Sequence, residues 1–325
     1  MTMRFKTYRF LLIVAAVLVS SVAYSLENIS DGPATRLNVY QVDVDSNFAY
    51  CASDSGMVIY NIYYPASPVF ESYLNLSGVH TAIAAQGDYV YLTSGDIGLY
   101  AINVNKPNHP YVSDTYDSQG KADDIFTDGF FAFVADEEGG LDILNIAKPD
   151  SIYLVTNYST PDCYYISVFV YYGRAYIVDA NTGLRILDVA DPLNPKPMGI
   201  LNFSYIPKSI FVDDRFVFLA NGGSGLEIID ARHAENPSFV CEFDTPGYAC
   251  KAVEYDESVY VADGSGLVII DISNPETPII TGTLELSGWA HDICVNGNYA
   301  YIAASDGGLQ IVNIADDTNP ILVGK

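Results

Sequence analysis

The sequence predicts an all-β protein, a seven-bladed β-propeller of four-stranded antiparallel blades with about 42 residues per repeat, and three observations carry that prediction. A phrase of Gly, Leu or Met, two or three apolar residues and an Asp or Asn returns seven times, led by Gly56, Gly98, Gly140, Gly183, Gly225, Gly266 and Gly308 at intervals of 41 to 43 residues. Each copy holds four short apolar runs separated by turn residues, and beyond the first residues no stretch combines helical periodicity with helix caps. A lone sheet of this size exposes an apolar face on each side, so the units must stack, and closing the stack into a ring covers the last faces.

In chain order, the first residues form a unit of their own. Arg4, Lys6 and Arg9 precede an uncharged apolar run over residues 10–22 that ends in small residues. This pattern predicts a secretory signal peptide over residues 1–25, with an uncleaved N-terminal anchor as the alternative. Residues 26–36 read as a linker or edge segment and residues 37–325 as the propeller. The last copy carries its own fourth run at residues 320–324, so the ring is expected to close without borrowing an N-terminal strand.

Within a copy, strand A is an alternating run such as Ile210-Phe211-Val212, followed by a polar turn such as Asn296-Gly297-Asn298. Strand B is built around one recurring aromatic, Tyr50, Tyr91, Phe133, Tyr176, Phe218, Tyr260 or Tyr301, which is assigned to the core between blades. Strand C is the Gly-Leu-x-Ile phrase. It closes on Asn61, Asn103, Asn145, Asp188, Asp230, Asp271 or Asn313, whose short side chains suit a hydrogen bond to turn backbone at the entry to a proline corner. The corner reads P-x-x-P at Pro65 and Pro68, Pro107 and Pro110, Pro192 and Pro195, and Pro275 and Pro278, and strand D follows it.

Composition narrows the partners. Half of the residues are apolar, and the chain counts 26 Tyr, 15 Phe and 1 Trp, enough for a large core. A net charge of −25 disfavours nucleic acid and anionic lipid and favours solubility, cations or basic partners. Cys51, Cys163, Cys241, Cys250 and Cys294 form no CxxC; one or two disulfides are allowed, with at least one thiol left over, and most of the five read as small core residues. Asn28, Asn75, Asn157 and Asn202 head glycosylation sequons.

The meander sends the B-to-C turns and D-to-A links to one face. That face is expected to gather Asp54, Asp96, Asp136, Glu137, Glu138, Asp179, Asp263 and Asp306 beside the starts of the A strands, which line the central channel. Two places before the apolar anchor of strand A stand Tyr40, Thr81, Asp123, Ile166, Lys208, Lys251 and His291. In so regular a repeat, a variable polar ring is where a grafted site belongs, and Asp123, Lys208, Lys251 and His291 are the candidate binding residues; a solvated channel lining with incidental ion pairs is the rival reading. No catalytic residue and no cofactor is assigned. A metal held by His80, His291, Asp123 and Asp292 would need groups from three blades to meet and has no local ligand spacing, although weakly bound Ca²⁺ at acidic loops such as residues 135–139 is allowed. No P-loop, dinucleotide fingerprint, nucleophile elbow or His-Glu-x-x-His is present.

The repeated phrases resemble the LVIVD-repeat family of β-propellers, whose motif is close to Leu267-Val268-Ile269-Ile270-Asp271. The resemblance covers roughly residues 37–325 and loosens in the first two copies, at Met57-Val58-Ile59-Tyr60-Asn61 and Leu99-Tyr100-Ala101-Ile102-Asn103. It implies a secreted or cell-surface bacterial or archaeal protein, and it carries over no catalytic residue. Tryptophan-Asp repeats fit less well, since Trp289 is the single Trp. The expectation is a non-enzymatic module binding a protein, glycan or cation partner; the alternatives are an extracellular hydrolase or lyase with its site at the channel mouth and a purely structural envelope component.

Overall fold

The computed structural model describes residues 37–203 and 205–325, so the leader, anchor and linker assignments at residues 1–36 lie outside the described residues. From residue 38 onward the chain is one compact unit of 28 strands, β1 to β28, in seven four-stranded antiparallel sheets. Each sheet takes its strands in sequence order. The innermost strands are β1 (Val39–Asp45), β5 (Ile83–Gln86), β9 (Asp124–Asp128), β13 (Tyr165–Tyr171), β17 (Ser209–Val212), β21 (Lys251–Tyr255) and β25 (Asp292–Asn296). The seventh blade is contiguous, as expected, ending in β26 (Tyr299–Ala303), β27 (Leu309–Asn313) and β28 (Ile321–Gly324).

The strand B aromatics lie at most 4% exposed, which confirms their place between blades. Successive clusters show the arrangement: Phe133 and Ile143 of blade three pack on Val168 and Ile177 of blade four, while Tyr176 and Ile186 on the other face of blade four pack on Ile210 and Val217 of blade five. In every blade strand D carries a one-residue register shift against strand C, for example between Ile228 and Ile229, which adds twist at the rim.

The repeated phrase has two local causes. A Cβ on Gly225 would stand 2.3 Å from the strand D carbonyl oxygen of Phe243, and its φ is +76°, so only glycine lets the two strands meet there. The Asx residue caps the corner in all seven copies: Asn61, Asn103, Asn145, Asp188, Asp230, Asp271 and Asn313 each accept from the N–H two residues on, at 2.8 to 3.1 Å. These side chains are turn devices.

The seam between the last and first blades uses interior contacts. Val39 and Ser305 exchange backbone hydrogen bonds of 3.0 and 2.9 Å, the same bridge that joins Glu137 to Tyr165 and Gly222 to Ala249. The Asp292 carboxylate accepts from the Val42 N–H at 2.8 Å, as Asp124 does from Val168 at 3.0 Å. Strand D of blade seven approaches so closely that a Cβ on Gly324 would lie 2.3 Å from the Pro65 carbonyl oxygen, matching Gly282 against Asp317 and Gly199 against Ala234. All five cysteines are free thiols: Cys51 and Cys163 are buried, and Cys241 donates to the Pro275 carbonyl at 3.1 Å, so the disulfides that the sequence allows are not formed. Among the described residues no helix is long and apolar enough to cross a membrane.

Candidate functional site at the channel mouth

The starts of the inner strands build the mouth in two tiers. In the outer tier the N–H groups of Thr81, Asp123, Lys208, Cys250 and His291 bond the last carbonyl of their own strand B, on Thr93, Ala135, Ala220, Ala262 and Ala303. This common bond corrects the sequence alignment in blade six. Cys250, and not Lys251, occupies the outer tier, because the buried anchor of that strand is Ala252, a side chain too small to stand out beside Val253. Lys251 therefore sits one residue deeper, level with Asp124 and Asp292. Both tiers line a cavity of about 170 Å³ that brings together Asp123, Lys208, Lys251 and His291.

Burial and neighbouring charge tune these groups. Asp123 is pushed up to about 7, first by burial and then by Asp124 and Glu137, so it shares a proton with solvent near neutrality. Burial raises Asp292 to about 6 against the opposing field of Lys251. Burial pulls the Lys251 ammonium down, but Asp124, Asp292 and Asp43 more than offset it and its pKa ends above the usual lysine value. His291 is lowered by burial; its Nε2 lies 2.8 Å from Ser305 Oγ and its ring meets Tyr40 edge-on at 5.3 Å. Among the described residues neither Lys208 nor Lys251 has a carboxylate within 4.0 Å, but the Lys251 ammonium is buried in the field of Asp124, Asp292 and Asp43, which leaves Lys208 as the cation open to a ligand at the mouth.

His80 is not part of this site. It is buried beside Tyr100, with ring centroids 6.5 Å apart, and is absent from the cavity lining. Among the described residues no three His, Cys, Asp or Glu side chains converge as a metal would require.

The surrounding face is less acidic than the sequence suggests. Asp136, Asp179 and Asp263 are buried at the ends of their B strands. Asp136 accepts from the Gly120 N–H at 2.7 Å and Asp263 from Gly247 and Thr245, both at 2.6 Å, which pins the link entering each blade. Asp179 pairs with Arg185 at 3.3 Å. Asp54, Asp96, Glu138 and Asp306 remain exposed, and Glu137 is half-buried.

A feature that sequence reasoning missed encircles the mouth. Two residues before Thr81, Asp123, Ile166, Lys208, Cys250 and His291 stand Val79, Lys121, Tyr164, Ile206, Tyr248 and Trp289. Val79 is 74% exposed, Ile206 54%, Trp289 47% and Tyr248 36%, so a broken apolar crown surrounds a charged throat. Tyr248 rests on Gly222 and Trp289 on Gly264: a Cβ on either glycine would come within 2.9 Å of a ring carbon. Lys208 Nζ lies 6.0 Å from the Tyr248 ring centroid, and the two rings are 6.0 Å apart. The available signal was the Gly-x-Ala step at Gly120, Gly247 and Gly288, whose middle residue is always crown.

LVIVD repeats are recognised at residues 119–160, 166–203, 246–285 and 287–325, which are blades three, four, six and seven. The chain is an LVIVD-repeat β-propeller. No curated protein matches it. Among solved structures, a protein from Lactobacillus plantarum superposes on the LVIVD propeller with a TM-score of 0.71 at 12% identity, covering 88% of this chain and 94% of that one. BamB from Moraxella catarrhalis gives 0.59 at 13% identity, covering 84% and 83%. PorZ of Porphyromonas gingivalis, described as a bacterial surface component of the type-IX secretion system, gives 0.63 at 10% identity over 89% of this chain and 38% of that one. At these identities the likeness is one of fold.

Proposed function

We propose that this propeller is a secreted or surface-displayed binding module without catalytic activity, and that it takes a protein or glycan partner on the face of its channel mouth. The observation that carries the reading is the crown and throat together. Exposed rings seated on glycine backbones supply flat apolar contact at little entropic cost, and Lys208 and Asp123, which line the same cavity, supply orientation. Export is supported by the basic and apolar leader at residues 1–25. PorZ, a surface component in its own organism, supports only the use of this fold at a cell surface.

The single Trp provides the test. Trp289 emission should shift or quench when immobilised-glycan or peptide panels yield a binder, and the change should be lost in Asp123→Ala and Lys208→Ala. A binder that leaves Trp289 emission untouched and survives both substitutions would place recognition elsewhere. The raised pKa of Asp123 supports a second reading, in which it donates a proton in a hydrolase or lyase reaction. Turnover abolished by Asp123→Asn with binding retained would favour that reading over the first.

A further inference from the structure

Beyond the tier of Asp124, Lys251 and Asp292 the channel widens toward the A-to-B turns into a second cavity of about 510 Å³, within the usual range for small-molecule sites. Its two sides differ. On blades three, four and five the residue after the buried anchor is Phe126, Phe169 and Phe211; the rings are partly open to the cavity, with successive centroids 4.7 and 4.8 Å apart. On blades one, six and seven the polar lining is Asp43, Glu254, Cys294, Lys251 and Asp292, set among Val253 and Val295.

The charge count is unequal, with Asp43, Asp124, Asp292 and Glu254 facing the channel against Lys251. Three of these carboxylates are already engaged. Asp43 accepts from the Ala85 and Val44 N–H groups, both at 2.8 Å, Asp124 from Ser167 and Val168, and Asp292 from Val42. Glu254 accepts only from the Glu257 N–H, at 3.1 Å through Oε1, and its other oxygen has no partner among the described residues. A small metal ion would need several free oxygens converging on one point, and no such group forms among the described residues. An anion would meet the excess of carboxylates. A neutral apolar ligand would strip water from the free oxygen of Glu254 and return nothing.

We infer that this inner cavity binds an organic ammonium ion with an apolar body, the body against the Phe126–Phe169–Phe211 wall and the cationic end toward the free oxygen of Glu254. Ring faces and carboxylates attract the same sign of charge, and a diffuse quaternary or aryl-alkyl ammonium loses less on dehydration than a hard ion does. The site is separate from the mouth, because neither Phe169 nor Glu254 lines the outer cavity.

The test is calorimetric titration of the whole protein at pH 7.5 with benzyltrimethylammonium and, separately, benzyl alcohol as its uncharged counterpart. The cation should bind at least about tenfold more tightly than the alcohol, and Phe169→Leu and Glu254→Gln should each weaken it by about fivefold or more. Asp123→Ala and Lys208→Ala should leave it unchanged, so loss of this site and loss of the mouth site are read independently. Should Phe169→Leu fail to fold, the surface-accessible Glu254→Gln decides. Equal affinity for the two probes, no binding of the cation, or binding indifferent to Glu254→Gln would overturn the inference.

Discussion

Asp123→Asn is expected to stabilise the protein at pH 8 and to change it little near pH 4. A carboxyl that ionises near 7 when folded and near 3.8 when unfolded binds its proton more tightly in the native state, so stability falls as pH rises between those values. At about 1.4 kcal/mol for each tenfold change in proton affinity, the full difference reaches about 4 kcal/mol by pH 8. The side chain is only partly buried, and solvent screening cuts this to about 2 kcal/mol. Asn keeps the shape and removes the charge. The assay is the thermal or urea midpoint of both proteins in half-unit steps from pH 4 to pH 8, read as the difference between the two curves. Contributions from Asp292, which has the same sign, and from His291, which is lowered by burial and so loses stability as pH falls, largely cancel in that difference. A flat difference, or one that favours the wild type at pH 8, refutes the account of a charge held at the mouth against its solvation.

Two further outcomes follow from the packing. Gly225→Ala should cost about 2 kcal/mol or more in a denaturant titration, since the new methyl would stand 2.3 Å from the Phe243 oxygen, whereas Gly297→Ala, with open space around it, should cost only the left-handed penalty of about 1 kcal/mol. Phe218→Ala, at a fully buried site between blades five and six, should lose about 3 to 5 kcal/mol, while the exposed Phe130→Ala should stay within about 0.5 kcal/mol.

Much of the fold was legible because each repeated residue answers one local need. Six of the seven marker glycines, all but Gly308, admit strand D, the Asx residues bond the corner, and the strand B aromatics fill the space between blades, so repetition turned weak local signals into a strong one. What was hidden depends on neighbours that the chain does not place side by side. In the Gly-Leu-x-Ile phrase the x position is Asp142, Arg185, Glu227 or Gln310 in four copies, and alternation gives no warning that all four are buried. Their partners come from elsewhere in the ring or the turn: Tyr116 of the preceding blade donates to Asp142 at 3.0 Å, and Asn221 to Glu227 at 2.8 Å. The candidate site was legible in kind and misplaced by one residue at Lys251, where Ala252 hid the register. The Phe wall of the inner cavity was invisible, because Phe126, Phe169 and Phe211 read one at a time as ordinary strand residues.

The contacts between Val39 and Ser305, Val42 and Asp292, and Pro65 and Gly324 make the seam of the ring a copy of its interior boundaries. Such a ring has no keystone. A fluctuation or a pulling force that prises two blades apart finds at the seam the same contacts as at the interior boundaries it copies, and the place where the chain begins and ends its circuit is not marked by a weaker joint.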